Sequence, residues 1–177
     1  IQTVTYLLKG EVEHEDSEGN KGVLRPGDLQ WMNAGSGVFH SEMPRPFGRD
    51  PEVSGFQLWV NLPRREKMSD PFYKNLKRES VPSVVADAGA RVRLISGRVK
   101  EPGTGVVEGP LTALGVVYMD VEVPEGTSFV MEVREGWRTL VYNFGGPARV
   151  QKRRVEDRSL AVLSTEGGIL RIDGPAR

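Results

Sequence analysis

The chain has 177 residues, 24 basic and 24 acidic side chains, and no cysteine. That length buries a core without staples, and the missing cysteine excludes disulfide scaffolds, thiol nucleophiles and cysteine-ligated zinc or iron–sulfur centres. Zero formal net charge argues against direct nucleic-acid binding, and no apolar run is long enough to cross a bilayer.

Taken in chain order, residues 3–8 read as a strand running toward Gly10, with residues 12–16 continuing it past a kink at that glycine. Ser17, Glu18, Gly19 and Asn20 form a turn signal. Residues 22–24 make a short strand stopped by Pro26, Gly27 and Asp28. Residues 29–32, 38–43 and 55–62 are further strands, and in the last of these Phe56, Leu58 and Val60 alternate with Gln57, Trp59 and Asn61. Residues 64–78 break the rhythm. They are charged, carry Met68, Phe72, Tyr73 and Leu76 at mixed helical spacing, and Pro71 confines them to short helical turns. Beyond them, residues 92–96, 114–123, 128–133, 138–144, 148–155, 160–164 and 169–172 read as strands.

Many short strands punctuated by 21 glycines and 12 prolines argue for an all-β chain. Each half has a strand ending at glycine, from Tyr6 to Gly10 and from Tyr142 to Gly146, which suggests a duplicated β fold. The expected organisation is a first β unit over residues 1–63, a connecting segment over 64–90 and a second β unit over 91–177.

Candidate chemistry concentrates at His40 and Glu42. On a strand their side chains share one face, because the strand period is two. An imidazole and a carboxylate there are two ligands of a metal site, or a surface histidine beside an acid. His14 is the other of the two histidines and sits in the acidic run 11–16, which reads as a solvated hairpin end. The second β unit has no histidine and cannot build a histidine-ligated centre of its own. A nucleophile elbow is absent, since Ala34, Gly35, Ser36 and Gly37 lack the required second spacing. Gly103, Thr104 and Gly105 precede a strand rather than a helix, so they do not signal a dinucleotide site. Lys152, Arg153 and Arg154 read as a solvated strand edge, and Trp31 as a core or cavity-wall residue. The lack of cysteine suits a reducing cytoplasm, and a cytoplasmic location is the expectation.

The runs 3–6, 10–20 and 26–37, followed by His40, Ser41, Glu42, Met43 and Pro44, closely resemble the N-terminal cupin of the pirin family, a branch of the cupin superfamily. Residues 56–63 and 66–68 extend the similarity, and 94–97 with 135–137 fit a second cupin more loosely. The resemblance implies a tandem double-stranded β-helix, a bicupin, with a short helical linker. It also implies an Fe(2+) ion in the first cupin, held by three histidines and one glutamate, of which the last two ligands fall on His40 and Glu42. The other two histidines belong to a His-Pro-His-Arg-Gly run just before the position of Ile1. On this resemblance the chain is a pirin core clipped at both ends, expected to hold iron weakly or not at all while a parent with the full set binds it. The implied activity is that of a flavonol (quercetin) 2,3-dioxygenase acting on a small aromatic substrate, with Glu42 also serving as a catalytic proton acceptor. The alternatives are a regulator that binds partner proteins with iron as a redox switch, and a metal-free cupin scaffold.

Overall fold

The computed structural model describes residues 1–48, 51–101, 105–111 and 115–177, and the chain divides into two compact units, Ile1–Val81 and Pro82–Arg177. The expectation of an all-β chain is met. Apart from strands, the described residues form three short 3-10 turns, Arg64–Glu66, Arg78–Ser80 and Asp87–Gly89.

The first unit is two sheets. One has the order β6-β1-β4-β7 and is built from β1 (Gln2–Lys9), β4 (Leu29–Asn33), β6 (Ser54–Val60) and β7 (Phe72–Leu76). The other has the order β3-β2-β5, from β2 (Glu11–Asp16), β3 (Lys21–Leu24) and β5 (His40–Arg45). Strands β1 and β4 are covered on both faces: Thr3 to Leu7 and Leu29 to Asn33 are buried without interruption. The two covered faces differ in polarity: Val4, Tyr6, Leu29 and Trp31 share one, and Thr3, Thr5, Gln30 and Met32 the other. Burying a side chain such as Val4 or Leu29, each at 0% exposure, contributes roughly 1.5–3 kcal/mol. Between β1 and β2 the chain turns at Gly10, whose φ is +78° and where a Cβ would stand 2.6 Å from Val53 Cγ2. No other residue fits that combination of left-handed backbone and close approach.

The Pro26–Gly27–Asp28 turn does more than stop β3. Asp28 is buried, and its carboxylate accepts from the backbone N–H groups of Arg25 and Arg78 at 3.1 and 2.9 Å and from Lys77 Nζ at 2.8 Å. The last two donors follow β7 directly, so this acid fastens the end of that strand to the sheet. The stretch 64–90, expected as a connecting segment of short helical turns, therefore holds β7, an edge strand of the first unit paired with β4. It also holds β8 (Ser83–Val85), which belongs to the second unit.

The second unit contains β9 (Arg91–Ser96), β10 (Arg98–Glu101), β11 (Gly105–Glu108), β12 (Tyr118–Glu122), β13 (Ser128–Glu132), β14 (Leu140–Asn143), β15 (Ala148–Val150), β16 (Arg153–Val155), β17 (Ser159–Val162) and β18 (Ile169–Asp173). They form sheets of order β12-β9-β8 and β13-β18-β15-β16, with the pairs β10-β11 and β14-β17. Phe129, Val92, Leu94, Val123, Val150 and Ile172 lie in one apolar core. The strand expected over 148–155 is instead the hairpin β15-β16. Gln151 and Lys152 turn it with φ of 49° and 67°, the two left-handed positions of a hairpin turn, without the Asn-Gly signature that would announce it. Lys152 thus lies in the turn, and Arg153 and Arg154 on the following strand. Gly103, Thr104 and Leu114 lie outside the described residues. No described helix is long and apolar enough to cross a membrane.

Candidate functional site

Antiparallel pairing of β2 with β5 sets His14 opposite Glu42 and Asp16 opposite His40. Period-two alternation then puts all four side chains on one face of this sheet, and Glu13, Glu15, Ser41 and Met43 on the other. The first face is the inner one. His14 and Asp16 are buried, and the Glu42 carboxylate reaches across to the opposite sheet, where both its oxygens accept from Gln57 Nε2 at 3.1 Å. His40 is exposed and Glu42 half-buried, so the pair stands at an open edge of the interior.

The reading of His14 as a solvated hairpin end is overturned. Its charged neighbours Glu13 and Glu15 point outward, and His14 itself is only 4% exposed. The ring lies parallel to Tyr73, with centroids 5.8 Å apart. It packs against β3 at Gly22, where a Cβ would come within 2.5 Å of His14 Nε2. Neither ring nitrogen has a hydrogen-bond partner. Burial lowers the pKa of His14 below the usual 6.5; Glu42 and Asp16 oppose that shift, and His40 and Lys77 add to it.

The groups around it follow the same logic. Burial alone would raise Asp16, but the Asn20 side chain and the backbone N–H groups of Asn20 and Glu18 donate to its carboxylate and hold its pKa below the usual value. Burial pushes the Tyr73 phenol up to about 12, and the negative charges of Asp16 and Glu42 work the same way. The Tyr73 hydroxyl is buried without a partner, as is Thr3 Oγ1.

The sequence brings out His40 and Glu42 but not the groups that support them. Gln57 donates to Thr5 Oγ1 at 3.1 Å as well as to Glu42, and accepts from Trp59 Nε1 at 2.8 Å. Trp31, expected in the core or a cavity wall, is buried edge-on against Phe72 at 4.9 Å.

One imidazole and one carboxylate, with a second imidazole across the sheet, are nitrogen and oxygen donors of the kind that divalent transition metals take. Among the described residues, however, no three such side chains converge as a group that could hold a metal ion. His40 and Glu42 fit part of a coordination sphere and not the whole of one.

The family model described as Pirin matches residues 1–60. A Thermoplasma acidophilum protein named "Putative quercetin 2,3-dioxygenase" is 35% identical over 99% of this chain and 72% of its own length. Human pirin is 36% identical over 98% of the chain and 58% of its own length. The crystal structure of quercetin 2,3-dioxygenase from Acinetobacter baumannii superposes with a TM-score of 0.84 at 32% identity, covering 98% of this chain and 60% of that one. The chain thus spans about three-fifths to three-quarters of these relatives.

Proposed function

This chain belongs to the pirin family of the cupin superfamily and has its bicupin fold, and from that membership we propose that it is the metal-bearing core of an iron-dependent flavonol 2,3-dioxygenase. The observation that carries this reading is the placement of His40 and Glu42, two residues apart on β5, side by side on the inner face of the first unit. In it, His40 supplies a neutral imidazole nitrogen and Glu42 a carboxylate oxygen to the metal. A bound iron would supply Lewis acidity and a template for an enolate and dioxygen. The residues do the rest. Glu42 takes the proton of the substrate's enol hydroxyl, a role open to a carboxylate within hydrogen-bond reach. Glu42 is half-buried and His40 exposed, so the pair can be reached from solvent.

The ligands that complete the set are, on this proposal, the two histidines of a His-Pro-His-Arg-Gly run preceding Ile1. The test compares residues 1–177 with the same residues preceded by that run, each loaded anaerobically with Fe(2+). Metal retained after gel filtration and loss of quercetin absorbance are the two readouts. Residues 1–177 alone are expected to retain far less than one iron per chain, and the extended protein close to one, with flavonol consumed. His40→Ala and Glu42→Ala in the extended protein should abolish both. Retention of iron and turnover in either variant would reject the assignment. A full iron site without flavonol turnover would favour a regulator that binds protein partners.

A further inference from the structure

Beyond the metal pair itself, we infer that Gln57 and Trp59 form a one-way relay that orients the Glu42 carboxylate. The inference rests on the reading of Glu42 as a metal ligand, but its geometry stands apart from that reading. Gln57 and Trp59 are two residues apart on β6 and share a face of that strand, the face that meets β5. The indole N–H can only donate, and it is 2.8 Å from Gln57 Oε1. That bond fixes which end of the amide is oxygen. The amide nitrogen then has two hydrogens to place, and both are used: one is shared by the two oxygens of Glu42 at 3.1 Å each, and the other goes to Thr5 Oγ1 at 3.1 Å.

Flipping the amide would set its oxygen against a carboxylate and its NH2 against an N–H donor. The contacts to Glu42 and Trp59 would then be repulsive, and only the Thr5 hydroxyl, which can donate as well as accept, would tolerate the flip, so the carboxylate and the indole select one orientation. The consequence for Glu42 is geometric. A donor on the bisector of its two oxygens turns the carboxylate plane toward Gln57 and leaves the outer lone pairs of each oxygen free for a cation. Trp59 is 66% exposed, which burial does not explain. The bond to Gln57 gives its position a reason, and makes Trp59 a positioning residue rather than a core one.

Orienting partners of metal ligands typically change metal affinity by about 10–100-fold when removed. The test uses residues 1–177 and Ni(2+) as the probe, with binding read from 1H–15N spectra, which follow weak dissociation constants. Gln57→Leu should weaken Ni(2+) binding by about 10–100-fold. Trp59→Phe, which removes the N–H together with part of the ring, should weaken it in the same direction by a smaller factor, and Glu42→Gln should remove the response. The second readout is hydrogen exchange of the Trp59 indole N–H, identified by its loss in Trp59→Phe. Exchange should accelerate in Gln57→Leu and, by a smaller factor because glutamine still offers one acceptor oxygen, in Glu42→Gln, an effect that a general packing role of Gln57 would not transmit from Glu42. Wild-type Ni(2+) affinity in Gln57→Leu together with loss of binding in Glu42→Gln would overturn the relay and leave the metal site intact. Equal Ni(2+) binding by wild type and Glu42→Gln would instead remove the metal reading. The indole exchange then decides the relay alone: unchanged rates in both variants overturn it, and faster rates support it.

Discussion

Replacing Gly22 with alanine should destabilise the first unit when His14 is present and stabilise it when His14 is absent. Gly22 lies on β3 directly opposite His14 and its φ is not in the left-handed region, so the substitution carries no backbone penalty. What the new Cβ meets is the imidazole: Nε2 at 2.5 Å, Cε1 at 3.0 Å and, behind them, Asn75 Nδ2 at 3.2 Å. Ordinary contact begins at 3.4 Å, so the ring must withdraw by about 0.9 Å. It cannot do so freely, because the ring is buried and lies parallel to that of Tyr73. Overpacking of this kind costs roughly 1–3 kcal/mol. Against it stands the entropy gain of replacing glycine within a strand, roughly 0.5–1 kcal/mol. The net expectation is a loss of about 0.5–2 kcal/mol in the wild-type background. In a His14→Ala background the ring clash is gone, and the 3.2 Å approach to Asn75 Nδ2 asks only a few tenths of an ångström of a side chain with new room beside it, so a gain of up to about 0.5–1 kcal/mol is expected. The assay is urea unfolding followed by tryptophan fluorescence in a Trp137→Phe protein, where the remaining indoles, Trp31 and Trp59, both report on the first unit. Additive effects of the two substitutions, with Gly22→Ala equally harmful in both backgrounds, would refute the claim that His14 occupies the space a side chain at position 22 needs.

Two further expectations concern titration and turn strain. Tyr73 should ionise late in an ultraviolet titration, with a pKa of about 12, and Tyr73→Phe should remove that step. Because its folded pKa is above the ordinary 10, the unfolded chain loses this proton first, so stability should fall as pH rises from about 10 through 12 and fall less in Tyr73→Phe. Lys152→Gly should stabilise the second unit by about 0.5–1 kcal/mol, since it relieves a left-handed residue costing roughly 1–2 kcal/mol and gives back part of that in chain entropy. A drop in the urea midpoint of the Trp137 signal would contradict it.

The elements that can be read from the chain are those whose burial follows simple rules. Residues 3–8 and 29–32 are legible as strands because β-branched, aromatic and long apolar side chains fill most of their positions, and the Pro26–Gly27–Asp28 turn is visible because it uses ordinary turn residues. Strand β7 is hidden because Phe72 to Leu76 is an edge strand, partly charged, fastened by Asp28 from elsewhere in the chain. The β15-β16 hairpin is hidden because Gln151 stands where Asn would be expected; its side chain donates to the Ile169 carbonyl at 2.8 Å and accepts from the Arg171 N–H at 3.0 Å. At the site, the two-residue spacing of His40 and Glu42 is legible, and strand alternation applied to residues 12–16 would have turned His14 inward with Val12. The acidity of its neighbours masked that signal.

Gln57 shows the deeper reason. In β6 the apolar set Phe56, Leu58 and Val60 looks like the inward face, yet Gln57 and Trp59 face the sheet that carries Glu42. The interior between the two sheets of the first unit is lined by Thr5, Gln30, Asn75, His14 and Tyr73, so polarity marks its inside rather than its outside. A buried polar group without a partner costs about 1–3 kcal/mol. Among the described residues this lining holds four such atoms: Thr3 Oγ1, both nitrogens of His14 and the hydroxyl of Tyr73. The second unit packs Phe129, Leu94, Val150 and Ile172 into an apolar core. A fold needs only the second kind of interior. The destabilising polar lining of the first, gathered around Glu42 and His40, is the arrangement expected where water, a cation or a polar ligand supplies the missing hydrogen bonds.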